Sequence, residues 1–258
     1  MTPAPPATPL PPRFRVLRSH ISALSLEQAV TIMQGWIEQH ERHYINLCTA
    51  DTVLQAYDNP ELARILDESG LAAPDGMPLV WLGRRQSRTT GRVYGPDLML
   101  QMCGAGLQRK TRHFFYGATP DVLEDLKANL ERKNPGLVVA GTLAPPFRPL
   151  TATEETETAR MINAARPDIV WVGLGTPKQD FWVAHFRTLL EAPVMVAVGA
   201  AFNFHAGHIP QAPRWMMRCG LEWFFRLIVE PRRLWRRYLL GNPRFALLVM
   251  RQKITGLP

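Results

Sequence analysis

The sequence predicts an α/β fold: a Rossmann-like, mostly parallel sheet sandwiched by helices, with a basic amphipathic helical appendage at the C-terminal end. The first observation behind this is alternation. Short apolar runs at 43–48, 71–74, 113–116, 137–140, 169–172 and 193–198 are separated by longer stretches with helical periodicity. Strands alternating with helices build a parallel sheet covered on both faces. The second is punctuation: Gly117 and Gly173 follow strand candidates directly, and Pro60 and Pro120 open helical stretches. The third is charge. The 258 residues carry a net +8, and all of it lies in residues 211–258, where nine Arg and one Lys face only Glu222 and Glu230.

Each element has its own signal. Ser25 is a good N-cap for a helix through Ala29, Ile32 and Trp36. The run 43–48 reads as a strand. The helix opened by Pro60 carries Leu62, Ile65 and Leu66 on one face. Residues 71–74 are short and extended, and Asp75-Gly76 is a turn. Residues 97–107 are helical, 113–116 a strand, and Pro120 starts a helix through Val122, Leu126 and Leu130. A strand at 137–140, a polar-faced helix at 153–165 and a buried strand at 169–172 follow. After the loop Gly173-Leu-Gly175-Thr-Pro177, residues 178–190 are helical and 193–198 form another apolar strand.

The tail differs in kind. Leu221, Phe224, Phe225 and Ile228 recur at helical spacing until Pro231. Beyond it, Arg232/Arg236 and Arg233/Arg237 are i, i+4 pairs, with Leu234/Tyr238 and Trp235/Leu239 on the other side. That pattern reads as an amphipathic helix with an arginine face. Four arginines within six residues repel one another unless an anion meets them. With seven aromatics in residues 211–258, the partner must be anionic and partly apolar, and an anionic phospholipid surface meets both needs. A nucleic-acid partner is the rival reading. The confinement of charge to one end, mixed with Leu, Ile and Val, suits lipid better than a phosphodiester backbone, so no nucleic acid is expected.

Three regions follow. Residues 1–12 hold six prolines and no charge and read as a disordered leader. Residues 13–210 read as the α/β domain, and residues 211–258 as the membrane-docking appendage. The start lacks the basic and apolar regions of a signal peptide. No segment offers the ~20 uninterrupted apolar residues of a membrane span. Cys48, Cys103 and Cys219 are too few and too scattered for a disulfide framework or a zinc cluster. The expected place is the cytoplasm, peripheral on the inner face of the cell membrane.

In parallel sheets, ligands sit beyond the carboxyl ends of strands. Three loops qualify: Thr49-Ala-Asp51, Pro74-Asp75-Gly76, and Gly173-Leu-Gly175-Thr-Pro177-Lys178-Gln179. In the third, Gly173 and Gly175 let backbone amides approach a phosphate, Lys178 adds a cation and Gln179 an amide. It is neither a dinucleotide fingerprint nor a Walker loop. Asp75 can act as a general base at a strand end. An Asp-Gly pair is also a common plain turn, and Asp51 and Asp97 are rival carboxylates. His205 and His208 share a spacing but lack a third ligand, so no metal is expected.

Read together, these blocks resemble the WecG/TagA/CpsF family of bacterial glycosyltransferases, family 26 of the glycosyltransferases. The blocks are the Thr49 and Asp75 loops, Gly95-Pro-Asp97-Leu98, the Gly173–Gln179 loop continuing to Asp180, Gly199-Ala-Ala-Phe-Asn203-Phe-His-Ala-Gly207, Ala212-Pro213, and Gly220-Leu-Glu-Trp223-Phe-Phe-Arg226 leading to Glu230-Pro231-Arg232. The resemblance spans about residues 13–245.

It implies inverting, metal-independent transfer of a hexose or N-acetylhexosamine-type sugar. The donor is a UDP-sugar and the acceptor a polyprenyl-diphosphate-linked monosaccharide, with no cofactor. Asp75 becomes the base and Thr49 its companion. Gly173, Gly175, Pro177 and Gln179 line the nucleotide pocket, and Arg226, Arg232 and Arg237 close over the site from the appendage. Two positions depart from the family: Ala50-Asp51 replaces Pro-Asn after the threonine, and Asn203 replaces an aspartate. Both bear on donor identity, which the sequence leaves open along with the acceptor sugar, the final polymer and any homo-oligomer.

Overall fold

The computed structural model describes residues 9–255, so most of the leader predicted at 1–12 lies outside the described residues. At its end, the Pro12 carbonyl accepts the Ala23 N–H at 2.8 Å. The first elements are a hairpin the sequence reading did not anticipate, β1 (Arg13–Val16) and β2 (Ser19–Ser22). They form a separate two-stranded sheet.

The main sheet has six parallel strands: β3 (His43–Cys48), β4 (Leu71–Pro74), β5 (Arg112–Gly117), β6 (Val138–Leu143), β7 (Ile169–Gly173) and β8 (Val194–Ala197). Their spatial order is β4-β3-β8-β7-β5-β6. Side chains alternate between two buried faces, as expected where helices cover both sides. Ile169, Trp171, Val194 and Val196 point into one core, and Val170, Val172, Met195 and Ala197 into the other. The first core is covered by α1 (Leu26–Gln39), α5 (Gly95–Ala105), α6 (Pro120–Lys133) and α9 (Ala201–Ala206). The second is covered by α7 (Ala152–Ala164) and α8 (Lys178–Phe186).

Local chemistry explains the helix starts. Ser25 and Gln28 make a reciprocal capping box at α1, and Pro120 occupies the first turn of α6. The helices that follow β3 and β4 directly went unforeseen, while the one opened by Pro60 is where the sequence put it. Thr49 is not in an open loop but caps α2 (Ala50–Asp58), with Thr52 completing the box. Asn59 then caps α3 (Pro60–Glu68). After β4, α4 (Met77–Arg84) begins at Gly76.

The C-terminal segment is helical, as predicted, but its faces differ from the expectation. It comprises α10 (Arg214–Arg218), α11 (Glu222–Val229), α12 (Pro231–Trp235), a π turn at Arg236–Leu240, and α13 (Gly241–Thr255). Pro243 is the physical reason for the π turn. Lacking an N–H, and with a ring that crowds the carbonyl four residues back, it forces the backbone to widen. The Gly241 N–H bonds the Arg236 carbonyl instead. Arg232, Arg233 and Arg236 stay exposed, while Arg237 is half-buried against Thr49 and Asp51. The helix then runs on through Gly241-Asn-Pro243.

α13 is packed on the body. Phe245 and Val249 are buried in a third core with Phe14, Val16, Ile21, Val53 and Leu62. Arg244 grips Asp58 through two hydrogen bonds of 2.6 Å, and the Gln252 side chain bonds both the N–H and the carbonyl of Leu17. The outer side stays apolar and exposed at Leu247, Met250 and Ile254, as do Phe224, Ile228, Trp235, Leu239 and Leu240 upstream. Among the described residues, no helix is long and apolar enough to cross a membrane.

Candidate active site

The chain leaves β3 toward β4 on one side, while β8 arrives next to β3 from the side of β7. A crevice outside the strand ends forms where the order reverses. The residues delivered to that end are Thr49 after β3, Asp75 after β4, Gly173 after β7 and Gly199 after β8.

Asp75 is fixed through its own backbone, whose N–H bonds the Cys48 carbonyl at 2.8 Å. Its side chain is 18% exposed and lies 3.2 Å from Arg92 Nη2. The same nitrogen reaches Glu222 at 2.6 Å, and the guanidinium lies over the Tyr94 ring, 4.2 Å from its centroid. Arg92 Nε also donates to the Asp75 carbonyl. Burial pushes the Asp75 carboxyl up to about 6, and the Glu222 charge adds to this. The cations Arg92 and Arg226 pull the other way. A carboxyl that titrates near neutrality and sits at a crevice is suited to move protons.

Thr49 uses its hydroxyl to cap α2 and also receives Arg237 Nη2 at 3.4 Å. Arg237 Nε lies 3.1 Å from Asp51, whose other contact is the Gln55 amide at 2.7 Å. The tail arginine and the strand-end residues singled out from sequence therefore meet. Arg226 is partly buried, 3.6 Å from Glu230, with its guanidinium 5.7 Å from the Phe204 ring centroid. Arg232 and Lys178 are exposed and make no ion pair among the described residues.

In the glycine loop, Gly175 takes φ +80°, a conformation that favours a residue without Cβ. Gln179 is buried, and its Oε1 accepts the N–H of Gly175 at 3.0 Å and of Gly199 at 2.9 Å. Its carbonyl oxygen thus ties two strand-end loops together, and only the NH2 end remains for other partners. Pro177 caps α8. Asn203 lies on α9, with Phe204 and its Arg226 contact next in sequence. His205 and His208 diverge, to the Pro96 carbonyl and to Asp125. Cys48 and Cys103 are buried and Cys219 is exposed. Asp97 is held by Arg214 through bonds of 2.7 and 2.9 Å.

Four residues escaped the sequence reading as participants. Arg92 lies in a segment with no motif. Glu222 sits inside a recognised block, but only the fold brings it to Arg92. Asn46 and Asp180 form a fully buried pair, Asn46 Nδ2 donating at 2.7 Å. Burial raises the Asp180 carboxyl to about 6, against hydrogen bonds from Asn46 and Thr176.

The sequence matches the profile of the Glycosyl transferase WecG/TagA/CpsF family over residues 14–257. An N-acetylglucosaminyldiphosphoundecaprenol N-acetyl-beta-D-mannosaminyltransferase of Bacillus subtilis (strain 168) is 31% identical over 232 residues, covering 86% of this chain and 87% of the relative. The protein of the same name from Bacillus spizizenii (strain ATCC 23059 / NRRL B-14472 / W23) is 29% identical over 219 residues, covering 84% and 82%.

Proposed function

The chain belongs to the WecG/TagA/CpsF family of glycosyl transferases, and from that premise we propose that it transfers a hexose or N-acetylhexosamine-type sugar, with inversion, from a UDP-sugar to a polyprenyl-diphosphate-linked monosaccharide in cell-surface polysaccharide synthesis. The relatives' names support the acceptor class and make N-acetylmannosamine the first donor sugar to test. The observation that carries the reading is the partly buried Asp75 carboxyl, pushed up to about 6 and paired with Arg92 at the end of β4.

The chemistry needs a base, an in-line anomeric carbon and a home for the departing charge. Asp75 takes the proton of the acceptor hydroxyl as that oxygen bonds the anomeric carbon. The bond from that carbon to the UDP oxygen breaks, and the electron pair leaves with UDP. Gly173 and Gly175, which carry no side chain, let the diphosphate approach the loop backbone closely, with Pro177 shaping the turn and the Gln179 NH2 group, left free by its bonded carbonyl oxygen, close by. Arg237 and Arg226 bring guanidinium groups, which bind phosphate in two-pronged fashion and stay charged. Thr49 orients a donor hydroxyl or Arg237, and Asn203 and Asp51 sit where donor identity is decided. Fixed dipoles and arginines take the leaving charge in this scheme, with no metal required.

The exposed apolar residues of the tail, interleaved with Arg232, Arg233 and Arg236, support docking on an anionic leaflet at its inner face. Each arginine near such a surface contributes about 1 kcal/mol. The decisive experiment is a screen for UDP release across UDP-N-acetylmannosamine, its uronic acid and UDP-glucose, with a polyprenyl-diphosphate N-acetylglucosamine as acceptor. Acceptor-dependent release with one donor is expected. Silence with every pair would show the reading to be wrong.

A further inference from the structure

A cavity of about 690 Å³ opens beside Arg92, the partner of Asp75, and no residue of the glycine loop lines it. Its walls come from α4, from the segment leading into α5, from α5 itself and from α10. Arg92 lines it and lies 3.2 Å from Asp75, so one side chain separates the cavity from the base. Four arginines reach this space: Arg84, Arg92, Arg214 and Arg218. Two are already committed, Arg92 to Asp75 and Glu222 and Arg214 to Asp97. Arg84 gives its Nε to the Thr90 carbonyl. Neither Arg84 nor Arg218 has a carboxylate partner among the described residues. Tyr94, only 4% exposed, also lines the cavity, and its hydroxyl has no hydrogen-bond partner among the described residues.

Two uncommitted guanidinium groups facing one cavity repel each other unless an anion lies between them. Guanidinium pairs suit phosphate oxygens. The helices that carry them also carry exposed indoles, Trp81 on α4 at 49% and Trp215 on α10 at 62%. Gly220 leaves room for the Trp81 ring, which a Cβ there would meet at 2.7 Å. An anion-binding chamber rimmed by aromatic surface fits a diphosphate that continues into an apolar chain.

We propose that this cavity is the acceptor site. Arg84 and Arg218 hold the acceptor's diphosphate, its sugar projects inward toward Asp75, and its polyprenyl chain leaves past Trp81 and Trp215. The inference rests on the polyprenyl-diphosphate acceptor proposed above. It gives the nucleotide diphosphate and the lipid diphosphate separate sets of residues, so that the two use separate cations.

The test is titration calorimetry of wild type, Arg84→Ala, Arg218→Ala and Gln101→Trp with two probes, UDP and a farnesyl-diphosphate N-acetylglucosamine. Gln101 lines the cavity and is exposed, so its replacement by an indole blocks the space without altering charge. Unchanged thermal melting confirms that each variant is folded. Each arginine loss is expected to weaken the farnesyl probe by about tenfold, and the tryptophan to weaken it at least as much, while UDP affinity holds. Unaltered affinity for the farnesyl probe overturns the assignment. A fall in UDP affinity gives the arginines to the donor and overturns it too. An equal loss of sedimentation with phosphatidylglycerol vesicles, with farnesyl-probe affinity intact, gives them to lipid headgroups. If wild type releases no UDP in the donor screen and binds no farnesyl probe, the broader reading falls and takes this one with it. If wild type turns over and the three variants match it, only the cavity assignment falls.

Discussion

Glu222 and Arg92 stand 130 positions apart in sequence, yet their side chains meet at 2.6 Å, closer than the 3.2 Å between Arg92 and Asp75. The C-terminal segment therefore contributes an anion as well as cations to the site. Glu222 draws Arg92 toward itself and adds negative charge near Asp75, two effects that both favour the protonated acid.

The pH dependence of kcat/KM reports this directly. If Asp75 is the base, the acidic limb falls off with an apparent pKa near about 6, and activity is present above it. Glu222→Gln removes a charge that raises Asp75, so the limb moves to lower pH. Arg92→Met removes a charge that lowers it, so the limb moves to higher pH. Shifts of the same sign in both variants would contradict the triad.

Asp75→Asn should cut turnover by about a hundredfold to ten-thousandfold, the usual reach of a positioned base, while UDP binding survives. A near-wild-type rate would direct attention to Asp51 or Asp97. The same substitution has a sign for stability. The folded-state pKa of Asp75 lies above its ordinary value of 3.8, so folding is opposed increasingly as pH rises from about 4 to about 6. The amide removes that opposition, and thermal melts at pH 8 should show no loss of stability for Asp75→Asn.

Gln179→Ala is expected to destabilise the protein by about 1–3 kcal/mol, because the amides of Gly175 and Gly199 lose one shared acceptor. The donor KM should rise with it, since the glycine loop is no longer tied to the end of β8. Urea unfolding and donor titration measure the two effects separately. An intact donor KM in a destabilised variant would detach Gln179 from nucleotide binding.

The two sides of α13 should separate by assay. Phe245→Ala removes a buried ring from the core shared with Phe14 and Leu62 and is expected to cost about 3–5 kcal/mol. Leu247→Ser with Ile254→Ser changes only exposed positions. Melting should hold, while sedimentation with anionic vesicles falls. Unaltered sedimentation would mean that the exposed side of α13 is not a membrane contact.

The parallel sheet was legible because its strands are buried on both faces and read as unbroken apolar runs. The strand-end loops were legible because glycine, proline and aspartate fall directly after those runs. What escaped depended on contacts between distant residues. The β1–β2 hairpin alternates arginine, histidine and serine with its apolar positions, and it gains its core from distant partners on α2, α3, α4, β4 and α13. α2 was hidden because Thr49 and Asp51 resemble loop chemistry, although the Thr49–Thr52 box makes them a helix start. The inward turn of Arg237 was not legible, because the arginine spacing alone put it on one exposed face with Arg233. Arg92 carried no local signal at all. Its role arises from two carboxylates brought to it by the end of β4 and the start of α11.

The clasp between Gln252 and Leu17 spans 235 positions, and it sets an order on biosynthesis. The hairpin carrying Phe14, Val16 and Ile21 leaves the ribosome long before Phe245 and Val249, the side chains that cover it. Until those residues emerge, the hairpin core is covered only from the side of α2, α3, α4 and β4, and the part that α13 fills stays open to water. Closure of this core is thus a late event, set by residues 245–252 rather than by the hairpin itself.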